Sequence, residues 1–158
     1  MGIPMYGQSF VLKERGSTHV GTEANGPGEP GEYTQQPGML AYYEICNKVR
    51  QGGWTVVRDR TASWGPIAYE SKSLQWVGYD DPDFVARKAR FVRQKNYGGA
   101  FVWTMDLDDF NNDCCGGAQP LLRTIASELL NIPFNTRQQD CTPPPPPVLP
   151  PAPSVSTT

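Results

Sequence analysis

GGAFVWTMDLDDF, residues 98–110, joins a short apolar run to a group of aspartates. Its apolar part, residues 100–103, follows two glycines and contains no polar side chain. Such a run, bounded by turn residues, is typical of a strand that is buried on both faces of a parallel sheet. Beyond it, apolar residues alternate with Asp106 and Asp108, which predicts that the strand leaves a core and enters a polar rim.

The length of 158 residues is sufficient for one domain. A complete eight-stranded parallel barrel needs roughly 250 residues, so a chain of this length would hold only part of one. Residues 1–10 read as a strand from the first position, with no cap, leader or turn before it. Together these features predict a piece of a longer protein.

Charge and hydropathy exclude two classes of partner. The sequence carries 14 basic and 16 acidic residues, a net charge of -2, and so lacks the excess charge that favours nucleic acid or an anionic membrane surface. No apolar run approaches the roughly 18 residues of a membrane span, and no secretory leader follows Met1. We therefore expect no nucleic acid and no membrane as partner. If the protein is secreted, its leader lies upstream.

The cysteines do not form a metal site. They stand at positions 46, 114, 115 and 141, without a CxxC framework, and the single histidine, His19, adds little as a ligand. The sequence therefore predicts no metal and no cofactor. Spacing alone does not separate free thiols from disulfides.

Periodicity predicts a small α+β unit in the middle of the chain. Apolar residues recur at helical spacing over residues 39–51, and a pair of glycines follows, which predicts an amphipathic helix. Three short runs rich in β-forming residues, at 54–59, 66–70 and 74–79, are separated by turn residues. They predict a small antiparallel sheet.

Prolines mark two further helices and a tail. Asp81 followed by Pro82 predicts the N-cap and first residue of a helix that runs up to Gly98. Pro120 predicts the start of a final helix. Residues 135–158 are dominated by Pro, Thr, Ser and Gln, which predicts an extended or disordered linker.

Four segments form a linked set: MGIPMYGQSF, GPGEPGEYTQQPGMLAYYEIC, LQWVGYDDPDF and GGAFVWTMDLDDF. In this order and at roughly this spacing they resemble the family 18 glycoside hydrolases, the chitinases and their lectin relatives. The last segment is similar to the family pattern GGAMVW-x-x-D-x-DDF. The resemblance covers about residues 1–132.

The resemblance implies an α/β fold: the C-terminal part of a (β/α)8 TIM barrel with an inserted small α+β domain, followed by a Pro-rich disordered tail. Residues 1–10 would be the penultimate barrel strand. Residues 11–80 would be the chitinase insertion domain, which forms one wall of the cleft. Residues 81–134 would hold a barrel helix, the last barrel strand and the final helix. Residues 135–158 would link to a chitin-binding module, in which Cys141 would find its partner.

The resemblance also implies where substrate binds. Trp103 would form the aromatic floor under the reacting sugar. Gln8 takes the place of the family's usual arginine, which removes one charge-assisted sugar contact, and a glutamate is common where Gln36 stands. The implied substrate-binding residues are Trp103, Tyr6, Met39, Gln36, Gln8 and Leu107.

Other aromatic residues of the predicted α+β unit admit two interpretations. Trp64, Tyr69 and Trp76 have faces that stack well on the apolar faces of pyranose rings. Most residues of this kind pack in a core instead. Trp76 lies inside the family-like QWVGYDD, which favours a structural role.

The catalytic acid of the family does not occur in this sequence. Enzymes of the family let the substrate's own acetamido group attack the anomeric carbon while a glutamic acid protonates the leaving oxygen. That acid ends a D-x-x-D-x-D-x-E motif, which is absent, and Asp106, Asp108 and Asp109 have the wrong spacing. We therefore expect no catalytic residue in this chain, the acid upstream of Met1, and no activity from the chain alone.

The resemblance implies a disulfide and, with it, an oxidising, extracellular location. The family commonly links the cysteine of its YYEIC helix, here Cys46, to a cysteine just after the DDF segment. By position the preferred partner is Cys115, and Cys114 is the second choice.

Three functions follow from these observations. The first is the C-terminal piece of a secreted chitinase, whose full-length parent hydrolyses β-1,4-linked N-acetylglucosamine polymers. The second is a chitinase-like lectin that binds chitin oligosaccharides without cutting them. The third is a standalone α+β adaptor domain whose barrel-like strands are incidental.

Overall fold

The computed structural model describes residues 1–59, 61 and 63–133. The predicted linker, residues 135–158, and Cys141 therefore lie outside the described residues. The architecture is mixed α/β. In chain order the strands are β1 (Gly2–Pro4), β2 (Tyr6–Leu12), β3 (Ala24–Pro27), β4 (Met39–Ala41), β5 (Trp54–Val57), β6 (Ile67–Glu70), β7 (Gln75–Gly78) and β8 (Phe101–Trp103). The helices are α1 (Tyr42–Arg50), α2 (Pro82–Gln94) and α3 (Pro120–Leu130), with a 3₁₀ turn at Met105–Leu107.

β1 and β8 form a two-stranded parallel sheet in which Ile3 lies opposite Val102. The strand predicted within residues 98–110 is present, but it is shorter and less buried than expected. Phe101 and Trp103 expose 60% and 62% of their surface. Among the described residues only β1 pairs with β8, and this leaves one edge of the strand uncovered.

The strand does not continue through the alternating residues after Trp103, because the chain turns there. The Leu107 N–H donates to the Thr104 carbonyl at 2.9 Å and closes the 3₁₀ turn. Leu107 is thereby directed into the core and is buried, whereas Asp106 stays exposed. Asp106 and Leu107 are therefore adjacent in sequence, but one side chain faces solvent and the other faces the core.

The other six strands form an antiparallel sheet of order β3-β2-β7-β6-β5, and β4 also pairs with β2. Strands β5, β6 and β7 confirm the sheet predicted from the three short runs. One face of this sheet is covered by α1, where Leu40, Ile45, Ala68 and Val77 form a buried cluster. The opposite face is therefore free to contribute to a surface site.

Two predicted element boundaries are wrong, and one long-range contact explains both. The single strand predicted over residues 1–10 is broken at Met5, which separates β1 from β2, and these strands belong to different sheets. The helix predicted over residues 39–51 begins only at Tyr42, because β4 pairs with β2 just before it. The Tyr42 N–H donates to the Met5 carbonyl at 3.2 Å, a contact that local periodicity does not reveal.

Capping groups set the starts of the last two helices. As predicted, Asp81 is the N-cap of α2, and its carboxylate accepts a hydrogen bond from the Phe84 N–H at 2.9 Å. At α3 the Asp108 carboxylate accepts hydrogen bonds from the Leu121 and Leu122 N–H groups at 3.3 and 2.9 Å. Within the described residues, no helix has the length and apolarity that crossing a membrane requires.

A disulfide joins Cys46 of α1 to Cys114, so the preferred pairing with Cys115 is wrong and the second choice is the observed one. The physical reason lies in the loop before α3. The Asp109 carboxylate accepts hydrogen bonds from the Asp113 and Cys114 N–H groups at 2.8 and 2.7 Å, which folds the loop back over α1. Cys115 has a left-handed φ of 66° and takes part in a disulfide bond other than that of Cys46.

Replacement of each neighbouring cysteine in turn tests this pairing. In Cys115→Ser, Cys46 should remain protected from alkylation under non-reducing conditions, whereas in Cys114→Ser it should react. Loss of this crosslink, which spans a sequence separation of 68 residues, should lower the free energy of unfolding by about 2–4 kcal/mol. Mass spectrometry of alkylated peptides provides the measurement. The reverse pattern of protection would restore the pairing with Cys115.

Candidate functional site

The backbone of Met5 connects the elements that surround the candidate site. Its N–H donates to the Trp103 carbonyl at 2.9 Å, and its carbonyl accepts from the Tyr42 N–H at 3.2 Å. Its side chain is fully buried in the main hydrophobic cluster with Ile3 and Leu121. The end of β8, the start of β2 and the start of α1 therefore meet at one residue.

Strand β2 supplies the next part of the site. Along it, Tyr6, Gln8 and Phe10 alternate with the buried residues Gly7 and Ser9, as expected because successive side chains of a strand point to opposite faces. Phe10 is 38% exposed, so this face of β2 is open to solvent. It is the face opposite to α1.

Pairing with β4 places Met39 beside this row. Gln8 lies directly opposite Met39, and Tyr6 lies directly opposite Ala41. Directly opposed residues of an antiparallel pair have neighbouring Cβ atoms on the same face of the sheet. Met39 and Gln8 are thereby held side by side by strand register.

A buried carboxylate holds the loop that precedes β4. Glu44 of α1 is 4% exposed, and its oxygens accept hydrogen bonds from the Tyr33, Thr34 and Ala41 N–H groups at 2.8, 3.0 and 2.8 Å. The Thr34 hydroxyl donates to it at 2.9 Å. A Cβ added to Gly31 would lie 2.3 Å from the Glu44 carboxylate, so only glycine fits there. The loop that these contacts shape carries Gln36.

Sequence reasoning missed the part played by Glu44. A glutamate in the first turn of a helix that reaches back to the N-cap N–H is one half of a capping box. Glu44 makes this contact with Ala41, the N-cap residue of α1. The segment AYYE would have revealed it only if the helix had been predicted to begin at Tyr42 instead of residue 39.

These elements enclose an open groove of about 860 Å³. All the residues implied to bind substrate line this groove, namely Trp103, Tyr6, Met39, Gln36, Gln8 and Leu107. The structure therefore brings together residues that stand up to 101 positions apart in the sequence, Tyr6 and Leu107. That they contact a sugar remains a prediction. Four polar lining residues were not among the implied substrate contacts, namely Ser9, Asn25, Thr104 and Asp106.

Asp108 and Asp109 have structural roles and lie away from the groove. Both are fully buried. Burial raises the pKa of both carboxyl groups above the ordinary range, and the hydrogen bonds that they accept from backbone amides act in the opposite sense. Asp108 caps α3 and Asp109 shapes the loop that bears Cys114, so neither carboxylate reaches a ligand in the groove.

Trp76 lies on β7, Trp64 lies in the loop between β5 and β6, and both contribute to a second cavity. The Trp76 indole N–H donates to the Thr18 carbonyl at 2.9 Å, and its ring packs on Phe10 with centroids 6.0 Å apart, which supports the structural interpretation. Trp64 is 48% exposed and lines this second cavity of about 390 Å³. Trp64 is absent from the lining of the larger groove.

Across the described ranges, no group of three or more His, Cys, Asp or Glu side chains is arranged to hold a metal ion. The chemical capacity of the groove is therefore that of its aromatic, amide and hydroxyl groups and the single carboxylate of Asp106. Such a set can stack on an apolar ring face and exchange hydrogen bonds with hydroxyl and amide groups.

A sequence model described as Glycosyl hydrolases family 18 matches residues 1–108. The chain belongs to this family. The resemblance drawn from the four motifs is thus confirmed. Among curated relatives, "Probable chitinase 10" of Drosophila melanogaster is 50% identical over 133 residues, which are 84% of this chain and 6% of that protein.

Solved structures of family 18 proteins also resemble this chain. "Ostrinia furnacalis Group II chitinase catalytic domain 2" superposes with a TM-score of 0.80 at 40% identity, over 85% of this chain and 35% of that one. Human YKL-39, described as a pseudo-chitinase with retained chitooligosaccharide binding, gives 0.74 at 42% identity, over 82% of this chain and 34% of that one. The chain therefore spans about a third of these family 18 structures.

Removal of the Glu44 carboxylate tests whether it holds the loop. Glu44→Ala should lower the free energy of unfolding by about 2–3 kcal/mol, because the buried Ala41 N–H and the part-buried donors of Tyr33 and Thr34 lose their acceptor. Glu32→Ala, which removes an exposed carboxylate from the same loop, is the matched control and should change it by less than about 0.5 kcal/mol. Urea denaturation followed by tryptophan fluorescence measures both. Equal effects of the two variants would contradict this role of Glu44.

Proposed function

We propose that the chain is the C-terminal part of the catalytic domain of a secreted chitinase and that its groove binds chitin oligosaccharides. In this proposal β1 and β8 are the last two strands of a (β/α)8 barrel. The antiparallel sheet and α1 are the insertion domain that forms one wall of the cleft. The coverage of about a third of family 18 structures supports this assignment.

The exposed indole of Trp103 on the groove is the observation that carries the proposal. It is 62% exposed and shares the groove with Tyr6 and Met39. Aromatic faces stack on the apolar faces of pyranose rings. Gln8 and Gln36 add amide groups that both donate and accept hydrogen bonds, which suits the hydroxyl and acetamido groups of a chitin chain.

In the full-length parent we propose substrate-assisted, retaining hydrolysis of β-1,4-linked N-acetylglucosamine polymers. The substrate's acetamido group would attack the anomeric carbon while a glutamic acid protonates the leaving oxygen. The residues of the present chain would hold the sugar over Trp103. They would not supply the proton, because the motif that ends in the catalytic glutamate is absent from this sequence and because Asp108 and Asp109 are buried and accept hydrogen bonds from backbone amides.

A chitin-binding protein without hydrolase activity is the second candidate. It is favoured by the similarity to human YKL-39, a pseudo-chitinase that retains chitooligosaccharide binding. The two candidates share the groove and differ in the acid. A full-length sequence with glutamate at the end of the D-x-x-D-x-D-x-E motif would support the enzyme, and glutamine or leucine there would support the lectin.

The proposed extracellular location is supported by the disulfide between Cys46 and Cys114, since such bonds persist in oxidising compartments. We further propose that the Pro-rich residues 135–158 connect to another module, such as a chitin-binding one. Their composition suits a linker of extended conformation.

Activity and binding assays on the 158-residue chain test the proposal. The chain should release no fluorophore from a reporter chitobioside above a mock preparation, because the general acid is missing. It should bind an N-acetylglucosamine hexamer with a Kd of about 1 mM in ligand-observed NMR. Trp103→Ala should weaken this binding by about tenfold, because the sugar loses its aromatic platform.

Trp64→Ala is the matched control, because it removes an exposed indole outside the groove. Its binding should equal that of the unchanged chain. Binding that survives Trp103→Ala and is lost in Trp64→Ala would move the sugar to the second cavity. Turnover of the reporter would show that the chain holds its own catalytic acid.

A further inference from the structure

The charge of the groove is concentrated in one side chain. Among the described residues that line it, Asp106 is the only one with a charge at neutral pH, and none is lysine, arginine or histidine. The other polar groups of the lining are amides and hydroxyls, such as those of Gln8, Asn25 and Gln36. A ligand in this groove therefore meets one negative charge and no positive charge from the described lining residues.

The Asp106 carboxylate is free to meet a ligand. It is exposed on the 3₁₀ turn and forms no hydrogen bond or ion pair within the part of the chain that the structure describes. Two other carboxylates near the surface are engaged locally. Glu70 accepts hydrogen bonds from the N–H groups of Lys72 and Ser73 at 2.9 and 2.6 Å, and Glu23 pairs with Lys13 at 2.6 Å.

Gln8 strengthens this asymmetry. The resemblance described above implies an arginine at its position, which would place a guanidinium on the same groove as Asp106. Glutamine has no charge, so nothing at this position offsets the carboxylate. The family pattern quoted above shares Asp106, so the missing positive charge at Gln8 is what distinguishes this sequence.

We propose that Asp106 makes the groove selective for chitin chains that carry a free amino group, that is, for partially deacetylated chitin over fully acetylated chitin. The inference rests on the proposed function. Deacetylation converts a neutral acetamido group into an ammonium group, which forms charge-assisted hydrogen bonds with a carboxylate. The free amino sugar occupies a position beside the sugar over Trp103, because the reacting sugar needs its acetamido group.

The size of the preference follows from the exposure of the carboxylate. An ion pair between solvent-exposed groups changes an equilibrium constant by about two- to fivefold. Salt screens it, because the Debye length falls from about 30 Å at 0.01 M to about 3 Å at 1 M ionic strength. A preference that arises from stacking or hydrogen bonding alone would persist at high salt.

The test compares two hexamers on the 158-residue chain by NMR titration. One is fully acetylated, and the other carries a single free amino group. At about 0.01 M salt the amino hexamer should bind about two- to fivefold tighter, and at about 1 M salt the two should bind equally. Asp106→Asn should abolish the preference, whereas Glu14→Gln, which removes an exposed carboxylate outside the groove, should retain it.

Gln8→Arg is a second variant that adds a positive charge to the groove while Asp106 is kept. It should reduce or reverse the preference for the amino hexamer. Equal binding of the two hexamers at low salt, or a preference that survives in Asp106→Asn, overturns the inference while the proposed function stands. Absence of binding by both hexamers contradicts the proposed function and the inference with it.

Discussion

The two backbone hydrogen bonds of Met5 are the constraint on which the rest of the structure depends. They connect the last residue of the parallel strand β8 to the first residue of α1, and β2 begins at the next position. Backbone groups buried away from water must find partners, so this junction admits little variation. The side chains of Trp103, Tyr6 and Met39 reach one groove because β8, β2 and the strand β4, which leads directly into α1, meet at this junction. The groove is therefore a consequence of how two sheets are joined.

The three aspartates of the segment after Trp103 have two different structural roles. The 3₁₀ turn leaves Asp106 on the groove and sends the chain inward, where Asp108 and Asp109 are fully buried. In place of water, these two carboxylates accept hydrogen bonds from backbone amides. Those of Asp108 come from the start of α3, and those of Asp109 come from the loop that bears Cys114. A buried carboxylate is tolerated only with such partners. The same short segment thus supplies a charge on the groove, Asp106, and two buried carboxylates that hold the chain beside it, Asp108 and Asp109.

Much of the fold could be predicted from the sequence where the signal is local. The N-cap of α2 at Asp81 and the antiparallel runs of β5 to β7 depend on neighbouring residues alone. The six residues that the linked motifs implied as sugar contacts all line the groove, and their contact with a sugar stays a prediction. The break at Met5, the strand β4 before α1 and the choice of Cys114 could not be predicted in this way. The first two are decided by hydrogen bonds between distant segments, and the third by the hydrogen bonds that Asp109 accepts within its own loop. The role of Glu44 was missed because it depends on the true start of α1 and on the loop that the carboxylate holds.

We propose that a sugar chain binds in the groove between β2, β4 and β8. The indole N–H signals of the four tryptophans report directly on where a sugar binds. A ¹⁵N-labelled chain titrated with an N-acetylglucosamine hexamer should show a shift of the Trp103 indole, which lines the groove. The indoles of Trp54, Trp64 and Trp76, which are absent from that lining, should stay in place. A saturable shift of Trp64 or Trp54 with an unchanged Trp103 would contradict the account.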